Sequence, residues 1–231
     1  MENNIIQRSF EDEVPCIVNP NEHHMACLFL LDTSGSMCGG PIEELNAGLN
    51  RFREQVSNDE TTRKVLDVAI VEFNDESGIV QEFIPVEYMR EVNLSAGGCT
   101  NMSTAIHTAV AMIEERVRLY KELGAAPYKP WIVMVSDGEP TDDINDAVRL
   151  VNEKDEQGKL RFFSLGVGSY DSETLHRLSG PRVMKLRGMD FTDFFDWVGK
   201  SMRVISVSSP GEKPAGVPLP ANVDKDTSDW Q

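Results

Sequence analysis

Short runs rich in apolar residues recur along the chain, and each has the length of a β-strand. The first covers Leu28 to Leu31, within the sequence LFLLDTSGSM. Later runs read DVAIVEF from Asp67, WIVMV from Trp131 and RFFSLGVG from Arg161, and a short one covers Val183 to Leu186. Alternation of apolar and polar residues disappears when both faces of a strand are buried. The pattern therefore predicts the central strands of a sheet that is covered on both sides.

Between these runs, apolar residues recur every three or four positions, which is the spacing of one face of an α-helix. Four predicted helices are marked by Ile42, Leu45, Leu49, Phe52 and Val56; by Ile106, Val110, Ile113, Val117 and Tyr120; by Ile144, Val148 and Val151; and by Phe191, Phe194, Phe195, Val198 and Met202. A shorter helix is predicted from Ser172 to Leu178. Pro41 suits the first turn of the first helix. Ser103 is the predicted cap of the second helix, and residues 141–143 (TDD) are the predicted cap of the third.

The sequence IVQEFIPV, from Ile79 to Val86, follows DVAIVEF after the turn-forming sequence NDESG, so these two strands form a predicted hairpin. Elsewhere strands alternate with helices, as they do when helical crossovers join parallel strands. We therefore predict a three-layer α/β domain. Its sheet is mainly parallel, with one antiparallel edge strand and helices on both faces.

Composition divides the chain into three predicted segments. Residues 1–22 mix acidic and apolar residues around two prolines without a clear period, and form a predicted N-terminal extension. The α/β domain is predicted over residues 23–205. From residue 206 the chain reads SVSSPGEKPAGVPLPANVDKDTSDWQ, and its many proline and polar residues predict a flexible C-terminal tail.

Charge argues against one class of partner. The chain carries 22 Lys and Arg against 38 Asp and Glu, so its net charge is −16 and the phosphates of nucleic acids would be repelled. No apolar run approaches the roughly 18 residues of a membrane-spanning helix. The N-terminal sequence MENNIIQRSFEDE also lacks the basic start and apolar core of a signal peptide. We therefore expect a cytoplasmic protein that binds neither nucleic acid nor a membrane.

Side chains that offer oxygen atoms follow two of the predicted strands. Asp32, Ser34 and Ser36 come directly after the first apolar run, and Asp137 follows WIVMVS. Thr100 lies in the glycine-led sequence GGCTNMSTAI, just ahead of the second helix. In open α/β sheets, ligands bind at the carboxyl ends of the strands. Carboxylate and hydroxyl oxygens suit a hard cation such as Mg²⁺, so the pattern predicts a metal site at this edge of the sheet.

These five residues resemble the metal-ion-dependent adhesion site of the von Willebrand factor type A (VWA) family. The family pattern is Asp-x-Ser-x-Ser, then a distant Thr and a distant Asp, and all five positions are filled here. The resemblance extends over most of the chain and implies a Rossmann-like doubly wound sheet, with Mg²⁺ or Mn²⁺ as the cofactor. It also implies three direct hydroxyl ligands and two carboxylates that act mainly through bound waters: Ser34, Ser36 and Thr100, and Asp32 and Asp137.

The resemblance implies a metal-dependent protein-binding module and not an enzyme. The metal would lie at the top of the sheet, where a Glu or Asp carboxylate of a protein partner fills its open position. The predicted rim of the partner surface consists of Met37, Cys38, Met102 and Glu139. For the two methionines the alternative is that they fill the core at the ends of the loops. Within the family, the sequence ISVSSPGEK and the pairing of DTSGSM with SDGEPTDD look most like small bacterial proteins associated with tellurite resistance. That likeness implies a stress-response or defence role with a kinase, phosphatase or ATPase partner.

The alternative is a Mg²⁺-dependent phosphohydrolase in which Asp32 is the nucleophile, because a carboxylate beside a metal is compatible with aspartyl-phosphate chemistry. Two features argue against it. Ser34 stands where a second carboxylate would be expected, and neither His107 nor His176 is an evident general acid or base. Glu139 is the one candidate base near the site. The sequence therefore favours binding over catalysis.

The four cysteines have neither CxxC spacing nor the density of a disulfide scaffold, so we interpret them as thiols. Cys38 lies two positions after Ser36, and Cys99 directly precedes Thr100. Each therefore adjoins a loop of the predicted metal site. A redox-sensitive pair of Cys38 and Cys99 is an open hypothesis.

Overall fold

The computed structural model describes residue 17 and residues 21–137, 139–209 and 215–227. In these ranges, seven strands form one sheet: β1 (Met25–Asp32), β2 (Leu66–Phe73), β3 (Ser77–Pro85), β4 (Trp131–Ser136), β5 (Arg161–Gly166), β6 (Val183–Leu186) and β7 (Val223–Lys225). The α-helices described are α1 (Gly40–Ser57), α2 (Met102–Glu122), α3 (Asn145–Glu156), α4 (Ser172–Ser179) and α5 (Thr192–Ser206). Short 3-10 turns cover Gly35–Met37, Thr62–Lys64, Val86–Tyr88 and Gly180–Arg182. None of the helices described is long and apolar enough to cross a membrane.

The strands are ordered β3-β2-β1-β4-β5-β6-β7 across the sheet. β1 lies parallel between β2 and β4, and β5 and β6 extend the parallel part. The strand order reverses between β1 and β4, because the chain first adds β2 on one side of β1 and later adds β4 on the other. Doubly wound sheets bind ligands at this kind of switch point, outside the carboxyl ends of the strands. The predicted three-layer, Rossmann-like architecture is confirmed.

The core forms two layers, one on each face of the sheet. On one face, Phe29 and Leu31 of β1 pack with the apolar stripes of α1 and α5. On the other face, Leu28 and Leu30 pack with α2, α3 and α4. All four of these side chains are fully buried, which explains why β1 shows no apolar–polar alternation. The central position of β1 fixes where Asp32, its last residue, lies.

Antiparallel strands form both edges of the sheet. β3 pairs with β2, as the NDESG turn predicts. At the opposite edge β7 pairs antiparallel with β6, with Val223 opposite Leu186. The sequence predicted only one antiparallel edge strand, and the second is a correction. β7 is three residues long and has no apolar pattern of its own, so only its pairing with β6 reveals it as a strand.

The segment 215–227 is attached to the domain through polar groups. The side chain of Asp226 is buried and accepts hydrogen bonds from the hydroxyls of Tyr170 and Ser172, at 2.6 and 2.7 Å. The indole N–H of Trp197 donates to the carbonyl of Val217 at 3.0 Å. The predicted flexible tail is therefore wrong for this segment, because these polar anchors act together with two apolar ones: Val223 is buried in the core and Leu219 packs against it. The other tail residues, 210–214 and 228–231, and nearly all of the predicted extension 1–22 lie outside the described residues.

Candidate metal centre

Asp32 ends β1 at the switch point, and its carboxylate is fully buried. One oxygen, Oδ1, accepts a hydrogen bond from the amide of Ser34 at 2.9 Å. The other, Oδ2, accepts one from the hydroxyl of Ser136, at the end of β4, at 2.6 Å. Burial raises the pKa of the Asp32 carboxyl, and the hydrogen bonds from Ser136 and Ser34 partly oppose that rise. Asp32 thus connects the ends of the two central strands while its own charge is removed from water.

A second set of hydrogen bonds connects the same two strand ends through side chains nearer to solvent. The hydroxyl oxygens of Ser34 and Ser36 lie 3.1 Å apart. The Ser36 hydroxyl then donates to Oδ1 of Asp137 at 2.7 Å. Four of the five predicted metal-site residues therefore form one hydrogen-bonded group: Asp32, Ser34, Ser36 and Asp137. Its outer members, Ser36 and Asp137, are exposed and half-buried respectively.

Thr100, the fifth predicted residue, lies on a loop that is hydrogen-bonded to the first one. The amide of Gly35 donates to the carbonyl of Gly98 at 2.9 Å, and the amide of Gly97 donates to the carbonyl of Thr33 at 2.8 Å. Gly98 has a φ of +80°, and a Cβ there would lie 2.3 Å from a carboxylate oxygen of Asp75. Only glycine fits this position. These backbone bonds hold the loop that carries the buried Thr100 against the loop that carries Ser34 and Ser36.

The turn between β2 and β3 supports the Thr100 loop from a third side. Oδ1 of Asp75 accepts a hydrogen bond from the amide of Cys99 at 2.8 Å, and this bond lowers the pKa of the Asp75 carboxyl. The carbonyl of Asn74 accepts one from the amide of Asn101, also at 2.8 Å. From the sequence alone, Asn74 and Asp75 are predicted only as turn formers. No local signal distinguishes a turn Asp that binds a distant loop from one that faces water.

Thr141 and Asp142, in the loop after β4, fix the start of α2. The Thr141 hydroxyl accepts a hydrogen bond from the amide of Thr100 at 3.1 Å, and the Thr141 amide donates to the Thr100 carbonyl at 2.9 Å. The two carboxylate oxygens of Asp142 accept from the amides of Met102 and Ser103, at 2.9 and 2.8 Å. The helix begins at Met102, so Asp142 caps it from another loop.

The predicted Ser103 cap is therefore wrong, whereas one residue of the predicted TDD cap, Asp143, does bond to the start of α3. Ser103 lies inside the first turn of α2 and donates its amide to Asp142, and it does not cap that helix. Asp142 does not cap α3 either. Asp143 has that role, because its Oδ1 accepts a hydrogen bond from the amide of Asn145 at 2.9 Å. Sequence spacing suggested nearby caps, but folding supplies a carboxylate that is 40 positions away in sequence.

We expect Asp142→Ala to lower the free energy of unfolding by about 1–2 kcal/mol, because two amides at the start of α2 lose their acceptor. Urea unfolding followed by circular dichroism measures the loss. Asp146→Ala is the matched control, since this exposed residue pairs only with Arg149 one turn along its own helix. The control should change stability by less than about 0.5 kcal/mol. Equal losses in both variants would contradict the capping role.

The four predicted rim residues divide into two pairs. Cys38 and Glu139 are exposed, so their place at the rim of a partner surface stays a prediction. Met37 and Met102 are completely buried, one in each core layer, so neither can contact a partner. Met102 could have been recognised from the sequence, because it lies four residues before Ile106 and continues the apolar stripe of α2.

The thiols of Cys38 and Cys99 are both free and exposed. Cys38 donates from Sγ to the carbonyl of Ala96 at 3.3 Å, on the loop that carries Cys99. A hydrogen bond to the Asp75 carboxylate raises the pKa of the Cys99 thiol, which lowers the fraction of reactive thiolate at neutral pH. The redox pair stays a hypothesis.

Hydroxyl groups are essential to any metal site here. Among the residues that the structure describes, no three His, Cys, Asp or Glu side chains converge as potential ligands. The hydrogen-bonded group at the switch point contains two carboxylates, Asp32 and Asp137, and two hydroxyls, Ser34 and Ser36, while the Thr100 hydroxyl lies on the adjoining loop. Such a set suits a hard divalent cation that retains waters, and it does not suit Zn²⁺ or copper, which select nitrogen and sulfur ligands.

Comparison with solved structures shows the same fold in proteins of low sequence identity. The vWF domain of the type V pili tip protein Mfa5 from Porphyromonas gingivalis aligns with a TM-score of 0.61 at 9% identity, over 81% of this chain and 98% of that one. The pilus adhesin SpaC from Lactobacillus rhamnosus GG gives 0.63 at 11% identity, over 79% of this chain and 30% of SpaC. The ArnB paralog VWA2 from Sulfolobus acidocaldarius gives 0.52 at 16% identity, over 77% of this chain and 45% of VWA2. The chain thus spans less than half of the last two proteins.

A search of the curated proteins found no match. The family model of the von Willebrand factor type A domain matches residues 27–196, which is well over half of the chain. That range starts within β1 and ends within α5, so it includes all five residues of the candidate metal centre. The chain belongs to the von Willebrand factor type A domain family.

Proposed function

We propose that the domain binds one divalent cation, Mg²⁺ or Mn²⁺, and through it the carboxylate of a protein partner. The proposed ligand set is Asp32, Ser34, Ser36, Thr100 and Asp137. The observation that carries the proposal is the hydrogen-bonded group that joins the ends of β1 and β4 at the switch point. Membership in a family that includes metal-dependent protein-binding modules supports it.

The spacing of the hydroxyls fits an octahedral ion. Adjacent ligands on an ion with metal–oxygen bonds of about 2.1 Å lie about 3.0 Å apart. The hydroxyl oxygens of Ser34 and Ser36 are 3.1 Å apart, and Oδ1 of Asp137 is 2.7 Å from the second of them. Ser34 and Ser36 could therefore bind one cation as neighbouring ligands, and Asp137 would act mainly through a bound water.

The charges of the site explain why a partner carboxylate would bind. Neutral hydroxyls leave a divalent cation poorly compensated. Asp32 contributes charge, but it is buried and both its oxygens already accept hydrogen bonds, so it supports the loop from behind. When bound, the metal would supply the positive charge that attracts an external Glu or Asp. Ser36, Cys38 and Glu139 are exposed around this position and would meet the partner.

The finer assignment rests on sequence resemblance. Three sequence motifs support a relationship to small bacterial VWA proteins associated with tellurite resistance: ISVSSPGEK, DTSGSM and SDGEPTDD. We propose on that ground a cytoplasmic stress-response or defence role, with a kinase, phosphatase or ATPase as the partner. The net charge of this chain is −16, so it would repel a broadly acidic partner surface. We therefore expect the partner carboxylate to be surrounded by neutral or basic residues.

The phosphohydrolase alternative finds little support in the geometry. A nucleophilic carboxylate needs a free oxygen facing the substrate, whereas Asp32 is fully buried with both oxygens hydrogen-bonded. Nδ1 of His107 contacts the carbonyl of Ser103 within its own helix, at 2.8 Å. His176 contacts the Ser172 carbonyl at 2.9 Å and the C-terminal segment. Mg²⁺-dependent phosphate release that disappears in Asp32→Asn would nevertheless favour the enzyme.

We expect Mg²⁺ or Mn²⁺ to raise the melting temperature of the protein. At ten times its dissociation constant, a bound ion adds about 1.4 kcal/mol to the free energy of unfolding by mass action. Ser34→Ala and Thr100→Ala should reduce the rise while leaving the metal-free protein folded. Ser57→Ala is the control, because its hydroxyl bonds to the Val86 carbonyl at the far end of α1. An equal rise in all four proteins would place the metal elsewhere.

A further inference from the structure

Two asparagines on α1 form paired hydrogen bonds with an extended segment that leads to Thr100. Nδ2 of Asn46 donates to the carbonyl of Leu94 at 2.9 Å, and its Oδ1 accepts from the Leu94 amide at 2.8 Å. Asn50 makes the same pair of bonds with Val92, both at 2.8 Å. Residues four apart share one face of a helix, and residues two apart share one side of an extended chain. The side chains of Asn46 and Asn50, here called the asparagine ladder, thus take the place of a neighbouring strand.

The bonds continue from the asparagine ladder to the metal loop. Beyond Leu94, the Ala96 carbonyl accepts from Cys38, the Gly97 amide donates to Thr33, and the Gly98 carbonyl accepts from Gly35. Three of these partners therefore belong to the loop between β1 and α1, and α1 begins at Gly40 directly after it. The segment 92–98 is consequently bonded along its length to one continuous piece of chain, which consists of the metal loop and α1 as far as Asn50.

We propose that Asn46 and Asn50 are positioning residues of the metal centre, which set the place of Thr100 relative to Ser34 and Ser36. Neither side chain touches the centre itself. The inference rests on the proposed metal site, and it adds two residues that the family pattern of five does not include. Asparagine is a weak helix former, yet two stand in the interior of α1. Each uses both ends of its amide on the same residue of the neighbouring segment, which Ala, Ser or a charged side chain could not do.

The two asparagines bond to residues at different sequence separations from Thr100. This difference can distinguish a positioning role from a general structural role. Leu94 lies six residues before Thr100 and Val92 lies eight before it. Asn46→Ala and Asn50→Ala each remove two hydrogen bonds, so their effects on metal-free stability should be similar. Their effects on the metal should differ: we expect Mn²⁺ affinity, measured by calorimetric titration, to fall about tenfold or more in Asn46→Ala and less in Asn50→Ala.

A second readout needs no metal. Hydrogen exchange in the metal-free protein reports the local opening of individual amides. In Asn46→Ala we expect faster exchange at Gly97, Cys99 and Thr100, because the loop that carries them loses its attachment to α1. A purely local role would speed exchange only at Val92 and Leu94. Should Asn46→Ala fail to fold, Asn50→Ala provides the same comparison with a smaller expected change.

Asn58→Ala is the matched control. Asn58 caps the end of the same helix, and its Nδ2 donates only to the carbonyl of Glu54, at 2.8 Å. This variant should keep both the parental Mn²⁺ affinity and the parental exchange at residues 97–100. Parental affinity in Asn46→Ala and Asn50→Ala, or faster exchange confined to residues 92 and 94, would overturn the inference. If the parent chain binds no Mn²⁺, the proposed function is overturned. The hydrogen-exchange measurement alone would then decide whether the asparagine ladder positions the Thr100 loop.

Discussion

Arg116→Met is expected to lower the free energy of unfolding by about 3–5 kcal/mol, because it removes the guanidinium that compensates the buried carboxylate of Asp67. Nδ1 of the equally buried His24 lies farther from that carboxylate, at 3.7 Å. Nη2 of Arg116 lies 2.8 Å from Oδ2 of Asp67, and the two side chains are only 5% and 1% exposed. The buried hydroxyl of Tyr120 donates to the same oxygen. The group ties α2 to β2, so its loss weakens the layer on one face of the sheet. Urea unfolding at neutral pH measures the effect.

Arg118→Met provides the control for this prediction. Arg118 lies on the same helix and pairs with Glu115 and Glu122, but its side chain is 57% exposed. Exposed ion pairs contribute about 0–1 kcal/mol, so the control should lose no more than that. The double variant Asp67→Leu/Arg116→Met removes both charges and should be more stable than Arg116→Met alone. Similar small losses in Arg116→Met and Arg118→Met would show that the buried pair is not needed.

Much of the fold could be predicted because burial of a strand or helix requires a local pattern of apolar residues in the sequence. A strand that is covered on both faces must be apolar throughout, as Leu28 to Leu31 is, and a helix on a sheet must repeat its apolar residues every three or four positions. The edge strand β3 was predictable from the turn residues before it. The five candidate metal-site residues could be picked out because they follow strands or precede a helix whose apolar pattern is readable in the sequence.

The hydrogen bonds that hold the loops of the candidate site in place have no such local pattern in the sequence. Asp142 caps α2 from 40 positions away, and Asn46 bonds to Leu94 across 48. A local period cannot show which distant backbone group a polar side chain will meet. The same limit hid β7, which has three residues and depends on its pairing with β6. Met37 was misplaced for a different reason, since a flexible thioether suits both a core and a contact surface, and only packing decides between them.

Asp32→Asn is expected to weaken metal binding by about 10- to 100-fold or more, and with it every metal-dependent contact with a partner. The change removes charge and little else. Oδ1 of the new side chain can still accept from the Ser34 amide, and its NH₂ can donate to the Ser136 hydroxyl, which is able to accept as well as donate. A neutral amide is also cheaper to bury than a carboxylate. The metal-free variant should therefore melt at or above the parental temperature, while the rise caused by Mn²⁺ disappears.

Asp32→Ala separates charge from geometry, because it removes the hydrogen bonds to Ser34 and Ser136 as well and should also lower metal-free stability. Partner binding can be followed by comparing proteins captured from native lysate in Mg²⁺ and in chelator, and then by titrating the purified partner. Substituting the single partner carboxylate should reproduce the loss seen with Asp32→Asn. The two changes together should cost little beyond either alone, since both break one shared contact. Undiminished partner binding in excess chelator would refute the metal bridge and move the interaction to another face of the domain, because a contact that survives without the ion cannot depend on it.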